Sequence, residues 1–192
     1  MVLNSSLVLL ALACASCGAG DHHAIAGEAP STPLVGPRRE TLDARALAQR
    51  ARLTVLIFFS PECPSLSAHG PRLLSLFEQD HLRGVEFFMV DSEVGGSPER
   101  DAAEARNRGY PFPILRDPDG KLADALGAEY AGYAVVFDST ARVRYHGGID
   151  TDRAHLRDDA TAYLANALDD LLADREPRVA EGKTLGCSLQ KW

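Results

Sequence analysis

Seven consecutive positions, LTVLIFF at 53–59, carry a single polar side chain, Thr54, and are rich in β-branched and aromatic residues. An unbroken apolar run of this length predicts a strand buried on both faces. GVEFFMVDS at 84–92 predicts a second one. Between them, SLSAHGPRLLSLFEQDHL places Leu73, Leu74, Phe77 and Leu82 on one helical face, with an interruption expected at Gly70–Pro71. SPERDAAEARNRG opens on a serine cap with an acidic first turn and closes on Gly109, the pattern of a complete helix. YPFPILRDPDG is an extended piece that turns at Asp117–Gly120, and KLADALGA is a short helix. YAVVFD and RVRYHGG, joined by the turn DSTA, predict a hairpin. DRAHLRDDATAYLANALDDLLAD predicts one long amphipathic helix, and TLDARALAQRA a helix capped by Thr41.

Strand, helix, strand, helix, extended piece, helix, hairpin and helix in that order predict an α/β layer fold with antiparallel strands on one side of a mixed sheet. Four segments follow. Residues 1–17 read as a signal segment. Residues 18–40, with prolines at 30, 33 and 37 and no periodicity, read as a flexible linker in which His22 and His23 are a solvated pair. Residues 41–176 form the domain, and 177–192 an irregular C-terminal tail.

Composition narrows the function. The chain has 192 residues, 45% hydrophobic and 24% charged, enough for one domain with appendages. A formal charge of −7 leaves no basic surface for phosphates, so a nucleic-acid partner is not expected. Residues 1–20 carry no charged side chain, and the apolar run Leu7–Ala13 is too short to span a bilayer. It ends in LALAC, which resembles a bacterial lipoprotein box with Cys14 as the lipidated residue and Cys17 as a second candidate. The expected location is the cell envelope, with the membrane reached through a lipid anchor, or the protein secreted without one.

Of the four cysteines, two, Cys63 and Cys187, lie beyond the N-terminal segment. No spacing suits a zinc site. Cys63 stands in FFSPECPSLSAHGP, between the first long strand and a helix whose first position suits Pro64. Free N–H groups and the dipole at a helix start favour a thiolate. Ser60 could donate a hydrogen bond to it, whereas the negative charge of Glu62 opposes it. A buried, inert cysteine is the alternative. Three residues on, where C-x-x-C would place a second cysteine, stands Leu66. His146, Asp150 and Asp152 fit a strand end and a helix cap better than a metal site, and the C-x-x-x-C of copper carriers fails at Ser67. No cofactor is expected.

The order of elements, FFSPECP at the turn, YPFPILRDPDGKLADALGA, VVFDSTARVRYHGGID and the ending TLGCSLQKW together resemble the thioredoxin superfamily, redoxin branch, over about residues 40–173. The resemblance implies a thioredoxin-like fold: a central mixed β-sheet flanked by helices. It implies Cys63 as nucleophile toward protein or small-molecule thiols and disulfides. The family's threonine-proline pair before the hairpin strand falls on Ala131–Gly132, and its buried acid on Ile57. Of the peroxiredoxin pattern, Ser60 matches the hydroxyl three residues before the cysteine, and Leu56 replaces the proline seven before. By analogy with C-terminal resolving cysteines of peroxiredoxins, Cys187 could resolve Cys63; a free or structural cysteine and an intermolecular bridge are the other readings. The function expected is therefore an envelope thiol-disulfide oxidoreductase. The alternatives are a thiol peroxidase acting on peroxide through a sulfenic acid, and a non-catalytic thioredoxin-like binding module.

Overall fold

A computed structural model describes residues 27–191; Cys14, Cys17, His22 and His23 lie outside them. One mixed sheet of eight strands organises the domain, in the order β2-β1-β5-β4-β3-β6-β7-β8. The strands are β1 Pro33–Val35, β2 Thr41–Asp43, β3 Leu53–Phe59, β4 Val85–Asp91, β5 Ile114–Arg116, β6 Ala134–Asp138, β7 Val143–Gly147 and β8 Glu181–Gly182. The helices are α1 Ala44–Ala48, α2 Pro64–Asp80, α3 Pro98–Asn107, α4 Lys121–Ala125 and α5 Tyr163–Leu172.

The run LTVLIFF is β3, and all seven of its residues are buried. It lies parallel to β4 over Leu53↔Val85 to Phe59↔Asp91 and antiparallel to β6 over Leu53↔Asp138 to Ile57↔Ala134. β5 continues the parallel side, and the β6–β7 hairpin continues the antiparallel side. Helix α3 is capped by the Ser97 hydroxyl, which accepts from Arg100 N–H, and Gly109 follows it at φ 65°, the left-handed conformation that favours glycine.

Four boundaries differ from the sequence expectations. The linker does not extend to 40: Leu34 is buried in β1, which pairs with β2 and, at Val35, with Arg116 of β5, while Ala29 N–H donates to the Ala141 carbonyl at 2.7 Å. Pairing with strands distant in sequence overrides its proline-rich composition. Thr41 lies in β2, and the cap of α1 is Asp43, whose carboxylate accepts from Ala46 N–H. Helix α2 continues through Gly70–Pro71. Proline forfeits an N–H bond there, but burial of Leu66, Leu73 and Leu76 holds the helix together.

The long C-terminal helix is only α5. Upstream, the Asp152 carboxylate takes the backbone N–H of Arg157 at 2.7 Å, and the Thr151 hydroxyl takes that of Thr161 at 2.9 Å. Side chains that bond nearby backbone donors compete with helix formation, and 151–162 stays a loop.

Candidate active site

The turn after β3 places Cys63 at the N-cap of α2, with Pro64 in the first helical turn. Cys63 N–H donates to the Ser60 carbonyl at 3.3 Å, and the Cys63 carbonyl accepts from Ser67 N–H at 3.0 Å. The sulfur itself accepts from Leu66 N–H at 3.5 Å. It thus occupies the position of a capping oxygen, where a negative charge on sulfur would meet free N–H groups and the dipole of a 17-residue helix. Ser60 is buried and reaches Cys63 through its backbone carbonyl. Arg108 braces the turn: its guanidinium donates to the Pro61 carbonyl at 2.7 Å, pairs with Glu104 and lies 5.3 Å from the centroid of the Phe59 ring.

Cys63 is 1% exposed, part of the core against which half-buried Cys187 packs. The two form a disulfide, with 5.7 Å between their Cα atoms and a sequence separation of 124. The tail reaches this point in two steps. First, β8 pairs in parallel with β7 at His146↔Glu181 and Gly147↔Gly182. Then residues 185–190 lie along the segment that leads into Gly132. Ser65 Oγ donates to the Leu185 carbonyl at 3.0 Å, Ala131 N–H to the Cys187 carbonyl at 2.9 Å, and Leu189 N–H to the Glu129 carbonyl at 3.0 Å. Tyr130 and Ser188 form an antiparallel bridge between these contacts. At Gly186 the chains are so close that a Cβ would come within 1.9 Å of the Ala131 oxygen. Lys191 closes the tail on Asp124 and Glu129 at 2.8 and 3.0 Å. Ala131–Gly132, where the resemblance places a threonine-proline pair, therefore offers its backbone edge to the protein's own tail. Gly132 has φ 85°, and among the described residues no peptide bond is cis.

Below this surface lies a network that the helical pattern concealed. His69 is buried; its Nδ1 faces the Ser65 carbonyl at 2.7 Å and its Nε2 faces Asp150 Oδ1 at 2.9 Å. Both partners are acceptors, an arrangement that suits the doubly protonated ring. Burial opposes that charge, but the bonds to Asp150 and Ser65 outweigh it and raise the His69 pKa. Burial likewise acts against the Asp150 carboxylate, and its bonds from His69, Asp152 N–H and Arg72 prevail and lower its pKa. Arg72 also meets Asp152 at 3.2 Å, and Asp152 accepts from Arg157 Nε at 2.9 Å. These bonds fix the 148–152 loop against α2 beside Ser65. A histidine and an aspartate 81 residues apart carry no joint signal in the sequence.

His146, Asp150 and Asp152 do not converge: His146 Nδ1 meets the Tyr133 hydroxyl at 3.0 Å, and both aspartates are engaged as described. Among the described residues no group of three His, Cys, Asp or Glu is placed to hold a metal.

A model of the AhpC/TSA family matches residues 25–149. The chain belongs to the AhpC/TSA family. This makes it a thioredoxin-superfamily redoxin, consistent with the mixed sheet and the helix-capping cysteine. No curated protein sequence matches the chain. Among solved structures, an uncharacterized conserved protein from Geobacillus kaustophilus is 26% identical, with a TM-score of 0.78 over 90% of this chain and 94% of that one. A PrxQ from Xylella fastidiosa is 17% identical, with a TM-score of 0.60 over 81% of this chain and 99% of that one. A secreted Mycobacterium tuberculosis disulfide oxidoreductase, homologous to E. coli DsbE, is 17% identical, with a TM-score of 0.50 over 59% and 80%. The last two likenesses concern the fold. The redoxin family supports redox chemistry in general.

Proposed function

We propose that this AhpC/TSA-family redoxin is an envelope thiol-disulfide oxidoreductase that cycles between the Cys63–Cys187 disulfide and the dithiol. The observation that carries the reading is the bridge between a helix-capping cysteine and one on a docked tail. In the reduced form the Cys63 thiolate attacks one sulfur of a substrate disulfide, forming a mixed disulfide and releasing the other as thiolate. The Cys187 thiolate then attacks Cys63 Sγ, forms the internal bridge and expels the second substrate thiolate. Two electrons pass from the dithiol to the substrate. Leu66 cannot take that second step, which assigns it to Cys187. Ser60 sits beside the site as a hydroxyl that could bond the thiolate once the bridge opens. The LALAC segment supports a lipid on Cys14 that holds the domain at a membrane; Cys14→Ser should then release the protein from the membrane fraction.

The deciding experiment is iodoacetamide labelling of reduced protein against pH, in wild type and in Cys187→Ser. Labelling of Cys63 with a midpoint below that of an ordinary thiol supports the reading. An unreactive Cys63 in both proteins refutes it and favours a binding module. The family match and Ser60 favour a second reading, a thiol peroxidase. A peroxide would convert the Cys63 thiolate to sulfenic acid, and condensation with the Cys187 thiol would release water and form the same bridge. Trapping of a sulfenic acid on Cys63 of Cys187→Ser after peroxide treatment selects that chemistry.

A further inference from the structure

Cys187 is half-buried, whereas Cys63 is 1% exposed. A recess of about 270 Å³ lies between the start of α2 and the 153–154 loop, lined by Pro64, Ser65, Arg153, Ala154, Gly186 and Cys187. Cys187 is part of its wall and Cys63 is not. A nucleophile entering the recess therefore reaches the Cys187 end of the bridge first, while Cys63 is 1% exposed and its sulfur accepts from Leu66 N–H. Arg153 is the one charged residue of the lining. It is exposed and takes part in none of the ion pairs or hydrogen bonds found among the described residues, whereas its neighbours Asp152, Arg157 and Arg72 are bound to one another. A free guanidinium in the same recess as half-buried Cys187 is a ready partner for a carboxylate.

We propose that the recess is the entry site for a low-molecular-weight, carboxylate-bearing thiol that reduces the bridge at Cys187, with Arg153 holding the carboxylate. The proposal rests on the redox cycle above and assigns its reductant. The incoming thiolate forms a bond to Cys187 Sγ as the Cys63–Cys187 bond breaks, and the electron pair leaves on Cys63 as thiolate. The helix start favours that leaving group. A second molecule of the thiol then attacks the sulfur of the first, releasing Cys187 as thiolate and a symmetrical disulfide. Two thiols are oxidised for one bridge reduced. A recess of this size suits a molecule of a few heavy atoms rather than a folded partner.

The test uses oxidised full-length protein and three thiols: 3-mercaptopropionate, neutral 2-mercaptoethanol and cationic cysteamine. Each opening rate is divided by the thiolate fraction. Wild type should react about 2- to 5-fold faster with 3-mercaptopropionate than with 2-mercaptoethanol, the range expected of one exposed charge pair. Cysteamine should be slowest, and 0.5 M salt should level the three by screening. Arg153→Gln should erase the charge preference and leave the 2-mercaptoethanol rate unchanged. Alkylation during the reaction, followed by mass spectrometry, should find the thiol adduct on Cys187. An adduct on Cys63, or equal preference in wild type and Arg153→Gln, overturns the proposal and leaves the redox cycle standing. A bridge that none of the three thiols opens overturns both.

Discussion

Reducing the Cys63–Cys187 bridge should cost the domain much of its stability, and the size follows from chain length. The cross-link spans 124 residues. The loop-closure relation for an unfolded chain gives about 5 kcal/mol at 25 °C for a loop of that length. Residual order in the denatured chain lowers this, so the expected loss is about 2–5 kcal/mol. The native contacts of the tail offset little of it, because β8 and the bonds at Ala131 can persist without the bridge; the effect acts mainly on the unfolded state. The assay is urea unfolding of one preparation with and without a phosphine reductant, followed by far-ultraviolet circular dichroism. Reduction should lower the midpoint and steepen the transition, because an uncrosslinked chain exposes more surface. Cys187→Ser should match reduced wild type and ignore the reductant. Coincident midpoints for oxidised and reduced wild type would refute the reasoning. The cycle also runs the other way. Whatever the bridge adds to the fold, the fold adds to the bridge, and 5 kcal/mol corresponds to about 100 mV against a two-electron reductant.

Gly186→Val places side-chain carbon against the Ala131 oxygen, where even a Cβ would come within 1.9 Å; oxidation of the dithiol, followed by timed alkylation, should slow by an order of magnitude or more. Asp101 is fully buried beside Asp91, and burial first, then that neighbouring carboxylate, push its pKa up to about 8. Its contribution to stability is whole below the ordinary value of 3.8 and drains away as pH rises through about 8, so Asp101→Asn should gain stability over that window, by about 1–3 kcal/mol at pH 8 in urea unfolding. The raised pKa of His69 acts with the same sign: its contribution is whole below 6.5 and is lost as pH climbs through the raised value. His69→Gln should therefore cost about 2 kcal/mol at pH 6 and less at pH 9; an equal cost at both would show that the ring is neutral in the fold.

The strands and the cysteine turn were legible because their signals are local. LTVLIFF predicts β3 at its observed bounds, and SPERDAAEARNRG shows both ends of α3 in its own serine and glycine. What the sequence hides is set by partners far along the chain. Leu34 looks like part of a linker until Arg116 supplies an edge for β1. The 151–162 stretch has helical spacing, and Asp152 and Thr151 divert its backbone donors. From the sequence His69 could offset Glu62 if it turned back toward Cys63; the fold instead places its two nitrogens on the Ser65 carbonyl and Asp150.

The cysteine pair shows why the distinction matters for function. A C-x-x-C turn holds both sulfurs on one helical turn, so its closure needs no distant segment of the chain to dock. Here the position three residues on is Leu66, itself 1% exposed and part of the core. The second sulfur arrives only when β8 pairs with β7 and residues 185–190 settle along Glu129–Ala131. Docking of the tail and closure of the bridge are therefore linked equilibria. A contact that favours the docked tail favours the disulfide by the same factor, and a ligand that takes the Ala131 edge disfavours it equally. A buried nucleophile is compatible with a working redox cycle on that condition, since the tail that docks beside Cys63 carries its partner. Opening the bridge at Cys187 frees the helix-capped thiolate and removes the covalent hold on the tail in a single chemical step.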